Sequence, residues 1–419
     1  MDMKRMLIIY PHWPPSNLVG VHRVRLIANE LHDLGWKATV LTVDPRDHEE
    51  PPAPETLQLV DANVEVIHVR ANKVRHVFGR RLIGDIGLRG YSALKKKAHA
   101  LLGSETFDFI WFSMPSWYPA LMGRGLSRKH GVPFGIDYQD PWVYALADHQ
   151  KGWNRASATI AMARILEPLA LRGVSLVSGI SEGYVEGVQK RYSNLQNVPF
   201  VTCQLGFSKR DHFIDLPDFK SPFTAGKRTY VYAGAHWSMG APLFRLWLEA
   251  LGALHQKSPV EGIEFLFIGT GNPELPSIQS MANELGLAGV VREIPDRLSY
   301  LTVQQILRFS DGALVIGSVE PHYSASKLFQ CLVTAPRVFA FFHDLSEGKE
   351  ILADCQADDF YVPYNAHREK HDMLSDLECR IASFINPETA WTVDLEPLEL
   401  HSASNAARKL TDAIQTILR

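Results

Sequence analysis

Short apolar runs alternate along this chain with longer stretches of helical periodicity. "MLIIY" (6–10), "KATVLTV" (37–43), "VEVIHV" (64–69), "FDFIWF" (107–112) and "PFGIDYQ" (133–139) are rich in β-branched and aromatic residues, and each predicts a buried strand. "VHRVRLIANELHDLG" carries Val21, Val24, Leu26, Ile27, Leu31 and Leu34 on one helical stripe and ends on Gly35, where a helix closes. Apolar strands alternating with helices predict a parallel sheet covered on both faces.

The pattern restarts near residue 229. "TYVYAG", "IEFLFIG" and "GALVIGS" predict strands, and "APLFRLWLEALGALHQ" and "LTVQQILRFS" predict helices between them. One more strand-to-helix unit, "LVSGISEGYVEGVQKRY", precedes a Pro-bearing stretch without periodicity, so the domain crossing is expected near Gly206. The expected division is 1–206, 207–395, and a tail 396–419 whose helix "NAARKLTDAIQTIL" is free to pack back on the N-terminal domain.

Composition narrows the class. A chain of 419 residues, 46% hydrophobic and 21% charged, is too long for one core and predicts a two-domain globular protein. Cys203, Cys331, Cys355 and Cys379 form no CxxC pair and no metal-like spacing with histidine, so neither a disulfide framework nor a metal site is expected. The apolar run before Pro11 is too short for a signal peptide or a span, which predicts a cytoplasmic protein. Between Arg70 and Lys97 stand nine basic residues against one acid, Asp85, interleaved with Val74, Val77, Phe78, Leu82, Ile83 and Ile86. Residues 70–97 therefore read as an interfacial segment for an anionic membrane surface, or as a solvated basic loop and helix. Nucleic acid fits poorly, because the pI is about 6.6 and no recognition helix accompanies the patch.

In open α/β sheets, ligands bind beyond the carboxyl ends of the strands, so the residues after each strand carry the candidate chemistry. After the first strand, Gly20 and Arg23 open a helix, where a close backbone approach and a cation favour an anion, or simply a helix start. "GTGN" follows a strand at Gly269 and Gly271, a common turn that is also used to cradle phosphate. Asp137 and Asp140 flank a strand end, where Asp140 is either a turn cap or a group that orients substrate. No Asp-x-Asp triplet follows a strand, so diphosphate charge would fall to helix dipoles and basic side chains rather than to a metal.

Late in the chain, "EPHYSASKLFQ" gathers Glu320, His322, Ser326, Lys327 and Gln330 at a strand-to-helix handover. With Ser324 as N-cap, Ser326, Lys327 and Gln330 fall near one helix face at its positive end, a geometry suited to a diphosphate. The ordered set "PP…G…R…L…L…GW…VLT", "DYQDPW", "SGISEGY…KRY", "YAG", "FIGTG" and "SASKLFQ" resembles the GT-B glycosyltransferases of family 4, the retaining "group 1" enzymes, over residues 6–345.

The resemblance implies an α/β GT-B fold of two doubly wound, Rossmann-like parallel-sheet domains facing a cleft. It implies a nucleotide-sugar donor on the second domain, a glycan or lipid-linked acceptor on the first, and no cofactor beyond that co-substrate. Gly20 matches the glycine laid against the donor diphosphate, and Asp140 the acid of a "D-x-W" element, here shortened to "DPW". Gly234 opens the loop where relatives carry an Arg and a Lys; here "GAHWSMG" places His236 and Met239 near those positions, leaving Lys327 to supply the cation. Gln330 matches the glutamate on the ribose hydroxyls, and His322 stands eight positions before it. The implied function is transfer of a sugar to an acceptor in surface glycan, glycolipid or secondary-metabolite assembly, with Asp140 and Lys327 catalytic. The alternatives are a sugar-nucleotide 2-epimerase on the same architecture and a degenerate, non-catalytic subunit that binds a glycan or a partner.

Overall fold

The computed structural model describes residues 3–74, 76–77, 80–81, 84–143, 155–203, 206–321 and 326–419. The chain divides into two compact units, Met1–Ser208 with His401–Arg419, and Lys209–Leu400.

The first unit runs β1 (Lys4–Ile9), α1 (Val19–Glu30), β2 (Trp36–Val43), β3 (Glu65–Val69), a small hairpin of β4 (His76–Val77) and β5 (Arg80–Arg81), then α2 (Ile86–Ser104). It continues with β6 (Phe109–Ser113), α3 (Gly123–His130), β7 (Phe134–Tyr138), α4 (Arg155–Ala170), β8 (Leu176–Gly179), α5 (Glu182–Arg191) and β9 (Phe200–Thr202). Its seven-stranded sheet has the order β3-β2-β1-β6-β7-β8-β9, with every pairing parallel. The order reverses between β1 and β6, which is where a doubly wound sheet opens a crevice at its carboxyl edge.

Strand alternation sorts the core into two layers. Met6, Ile8, Ala38, Val40, Phe109 and Trp111 face one side, while Leu7, Ile9, Leu41, Val43, Ile110 and Phe112 face the other. α1 covers the first layer with Val21, Val24 and Ile27, and gives way after a short 3-10 turn to Gly35, whose φ of 77° is the left-handed cap.

The second unit follows a short α6 (Lys209–His212) with β10 (Arg228–Ala233), α7 (Ala241–Lys257), β11 (Ile263–Ile268), α8 (Ile278–Glu284), β12 (Val291–Ile294) and α9 (Tyr300–Phe309). β13 (Gly312–Ile316), α10 (Ser326–Thr334), β14 (Val338–His343), α11 (Gly348–Asp354), β15 (Tyr361–Tyr364) and α12 (Lys370–Ile385) complete it. Its six-stranded parallel sheet has the order β12-β11-β10-β13-β14-β15, and reverses between β10 and β13.

The chain then returns. The last helix, α13 (Ala403–Leu418), lays Ala407, Leu410 and Ile414 into the layer that holds Val21 and Val24 of α1. Gly206 marks the junction: its φ is 77°, and a Cβ there would lie 3.3 Å from the Ala403 backbone. The Ala403 N–H donates to the Phe207 carbonyl at 2.8 Å.

A buried ion pair crosses the first unit. Arg23 and Asp137, both fully buried, meet through Nε to Oδ2 at 2.8 Å and Nη2 to Oδ1 at 2.7 Å. Arg23 Nη1 donates to the Cys203 carbonyl at 2.8 Å, while Asp137 also accepts from Ser113 Oγ at 3.0 Å and Ser178 Oγ at 2.7 Å. Arg23, expected to meet an anionic ligand, is fully buried and neutralises a protein carboxylate.

The free cysteines Cys203, Cys331 and Cys355 are buried and Cys379 is exposed. In the basic segment, Arg70 pairs with Asp47 and Arg89 with Glu49, so part of its charge is already compensated. Lys95 and Lys96 are exposed. Among the described residues, no helix is long and apolar enough to cross a membrane.

Two stability outcomes follow from this packing. Leu410→Ala is expected to destabilise the chain by about 2–5 kcal/mol in urea unfolding, against about 0.5 kcal/mol or less for the exposed Arg408→Ala. Arg23→Met is expected to cost about 3–5 kcal/mol by stranding Asp137, with part of the loss recovered in the Arg23→Met, Asp137→Leu double variant. Wild-type stability in Arg23→Met would mean that the pair is not formed in solution.

Candidate functional site

At the reversal point of the second sheet, β10 ends and the chain turns at Gly234, whose N–H donates to the Ile268 carbonyl at 2.8 Å. A Cβ at Gly234 would fall 1.6 Å from Lys327 Nζ. Only a glycine leaves room for the amine that the first turn of α10 sends across. Residues 93 positions apart in sequence, one closing β10 and one opening the helix after β13, thus form a single feature.

Lys327 is half-buried, and its surroundings are aromatic rather than acidic. Nζ donates to Tyr232 Oη at 3.1 Å and lies 4.9 Å from the Tyr232 ring centroid and 5.7 Å from that of Trp237. Tyr232 Oη in turn donates to the Ala235 carbonyl at 3.0 Å. Burial pulls the amine down to about 8, opposed only by Cys331 one turn along α10, whose thiol burial pushes up to about 12. No carboxylate among the described residues pairs with this cation.

Gln330, a turn after Lys327, accepts from Gln304 Nε2 at 3.1 Å. The chain of contacts continues from Gln304 Oε1 to His212 Nδ1 at 2.6 Å and on to Thr334 Oγ1 at 3.0 Å. With its carbonyl oxygen engaged, Gln330 presents its amide N–H groups as donors. Of its neighbours in "EPHYSASKLFQ", His322 and Ser324 lie outside the described residues, and Ser326 is described only as the first residue of α10. Glu320 is exposed on the loop after β13, its N–H held by Ser318 Oγ at 3.2 Å.

The loops after β10 and β11 are tied together, since Asn272 Nδ2 donates to the His236 carbonyl at 3.0 Å. His236 itself is buried edge-on against Phe244, with Nε2 lacking a hydrogen-bond partner; burial lowers its basicity, and Glu293 partly restores it. Gly269 holds φ at 75°, and its N–H donates to the Ile294 carbonyl at 2.8 Å. Gly271 is pressed onto the neighbouring loop, where a Cβ would sit 2.8 Å from the Pro295 carbonyl oxygen. Thr270, between them, donates to Glu293 Oε1 at 2.6 Å. The "GTGN" turn is therefore shaped first by strand-loop packing, with the left-handed Gly269 as its open corner.

In the first unit, Gly20 sits at the other reversal point. A Cβ there would lie 2.6 Å from Tyr10 Oη and 3.3 Å from Pro115, and its carbonyl accepts from Gln139 Nε2 at 3.1 Å. Gln139 also donates to Ser113 Oγ at 2.9 Å, which joins this turn to the buried Arg23–Asp137 pair. Asp140 is half-buried one residue further on, and burial raises its carboxyl. Sequence reasoning missed Gln139, Tyr232 and Trp237, whose importance lies in contacts between segments distant in sequence.

Residues 20–201 match the family described as glycosyl transferase 4-like domain. No curated protein matches the chain. Among solved structures, a variant of TarM from S. aureus in complex with fondaparinux, alpha-GlcNAc-glycerol and UDP superposes with a TM-score of 0.59 at 10% identity, covering 98% of this chain and 100% of that one. Sucrose-phosphate synthase from Thermosynechococcus elongatus gives 0.53 at 13% identity, over 99% and 95% of the two chains. A structure described as a putative UDP-N-acetylglucosamine 2-epimerase from Listeria monocytogenes gives 0.55 at 12%, over 99% and 96%. Residues 20–201 thus match a glycosyl transferase 4-like domain, and the likeness of the whole chain to these structures shows a GT-B fold of two parallel-sheet units.

Proposed function

We propose that the chain is a retaining glycosyltransferase that holds a nucleotide-sugar donor at the carboxyl edge of its second sheet and transfers the sugar to a hydroxyl of a glycan or lipid-linked acceptor. The observation that carries this reading is Lys327: a half-buried ammonium against the backbone of Gly234, between aromatic faces, with no carboxylate partner among the described residues. Burying a cation without a counter-ion is unfavourable, and an anionic ligand removes that cost. A diphosphate gains charge as the bond to the sugar breaks, so Lys327 and the N-terminal turn of α10 favour the transition state over the bound donor.

Around that centre, Gln330 would donate to ribose hydroxyls, Gly269 and His236 would line the nucleotide, and Glu320 would face the sugar. Asp140, a carboxyl less acidic than usual, is suited to orient a substrate hydroxyl, with Gly20 giving close backbone approach. This chemistry needs no metal for the diphosphate and no cofactor. The reading extends to a protein at the cytoplasmic face of a membrane, with the exposed Lys95 and Lys96 turned to anionic lipid. Likeness to a structure described as a 2-epimerase supports a second reading, isomerisation of a sugar nucleotide without an acceptor.

Two measurements test the assignment. Lys327→Met is expected to lower kcat for transfer or donor hydrolysis by about 10²–10³-fold while circular dichroism stays unchanged. Turnover at the wild-type rate overturns the reading, and an isomerised nucleotide sugar formed without acceptor establishes the epimerase instead.

The second measurement is pH dependence. Loss of the proton from Lys327 near pH 8 removes the anion-binding form, so affinity of the free protein for UDP or GDP should fall as pH rises through about 8. Stability should move the other way: between about 8 and the ordinary 10.5 the unfolded chain binds more protons, so the nucleotide-free protein gains stability with pH across that window. Lys327→Met should show neither trend.

A further inference from the structure

A second polar cluster stands in the first unit, in the loops after β1 and β2. His12 lies in the loop after β1, and His48 and Glu50 in the loop after β2, so adjacent parallel strands deliver them to the same edge. The two loops are stitched by the Ala53 N–H donating to the Pro15 carbonyl at 2.7 Å and by a bridge between Ser16 and Pro52. His12 Nδ1 is 3.0 Å and His48 Nδ1 3.5 Å from one oxygen, Oε1 of Glu50, which also accepts from Ser16 Oγ at 2.6 Å. One potential ligand atom from each of the three residues lies within 4.8 Å of the other two.

These contacts are hydrogen bonds in the metal-free chain, and the same separations fit the ligand edges of a bound metal. Bonds of about 2.0–2.2 Å from zinc to imidazole nitrogen and carboxylate oxygen place tetrahedral ligand atoms roughly 3.3 Å apart. The separations of 3.0 and 3.5 Å bracket that edge. The side chains of His48, His12 and Glu50 are 4%, 16% and 20% exposed, so the cluster is shielded but reachable, and His48 Nε2 is buried without a hydrogen-bond partner. Asp85, Asp140 and Glu50 all act on the nearby Tyr10, so the surrounding field is negative.

We propose that His12, His48 and Glu50 form a site for a borderline divalent cation of the Zn²⁺ type, with Ser16 holding the carboxylate from outside and the fourth position open to water. Two imidazoles and a carboxylate are the donor set that Zn²⁺ takes when one vertex is left free. Ser16 is the outer-shell hydrogen bond that fixes a ligating carboxylate. The cation would pin the loop after β1, which leads into Gly20, to the loop after β2. The sequence expectation of no metal considered cysteine spacing and Asp-x-Asp triplets; this set is spread over two loops and matches neither pattern.

The test uses the full chain, stripped with a chelator and titrated with Co²⁺ and then Zn²⁺, and does not depend on glycosyl transfer. One equivalent of Co²⁺ is expected, with the visible absorption of a tetrahedral site, displaced by Zn²⁺, and Zn²⁺ should raise the melting temperature. Glu50→Gln and His48→Ala should weaken Zn²⁺ binding by at least about 100-fold, and Ser16→Ala by about 10-fold. His130→Ala, which breaks another close histidine pair, with His99 at 2.9 Å, should leave binding unchanged. Glu50→Gln preserves side-chain volume, so it decides the matter even if His48→Ala fails to fold. Absence of a tetrahedral Co²⁺ spectrum, or binding in Glu50→Gln equal to wild type, overturns the proposal.

Discussion

Within each of the two large sheets every strand runs parallel to its neighbours, and this constraint shapes everything with chemistry in it. A parallel sheet sends each loop that follows a strand to one edge, and reversal of strand order opens that edge at a single place. In the second sheet that place is between β10 and β13, where Gly234 and the helix carrying Lys327 face each other. In the first it is between β1 and β6, where Gly20 meets Tyr10 and Pro115. The two glycines are alike in what they omit: each lacks a Cβ where another residue's polar group must pass.

The two cations at these edges are handled in opposite ways. Arg23 is fully buried with a bidentate carboxylate and a backbone carbonyl, and so stiffens the first unit. Lys327 has a tyrosine hydroxyl and two ring faces, and so keeps an appetite for negative charge. Both are basic residues in or near the first turns of helices that follow strands. Burial and pairing, rather than position along the helix, separate a structural cation from one able to serve a ligand.

Most of the architecture was legible because strands buried on both faces are apolar throughout. "IEFLFIG" and "TYVYAG" announce β11 and β10 almost to the residue, while β12, with Arg292 and Glu293 among its four residues, does not. The site was legible where neighbours in sequence remain neighbours in space, as with Lys327 and Gln330 on α10. It was illegible where the partner is remote. Nothing local says that Asp137 consumes Arg23, that Asp47 and Glu49 answer Arg70 and Arg89, or that Pro295 explains Gly271. His12, His48 and Glu50 belong to the same class, being brought together only by the register of β1 on β2.

The return of α13 to the first unit has a consequence for the order in which the protein is made. α1 ends at Glu30, yet the helix that covers Val21 and Val24 begins at Ala403, so that face emerges from the ribosome long before its cover. At ordinary synthesis rates the interval is roughly 20–80 s, during which the whole second unit, Lys209–Leu400, is made. Until α13 arrives, that apolar stripe lacks its cover, so the first unit cannot complete its core before the second has been made.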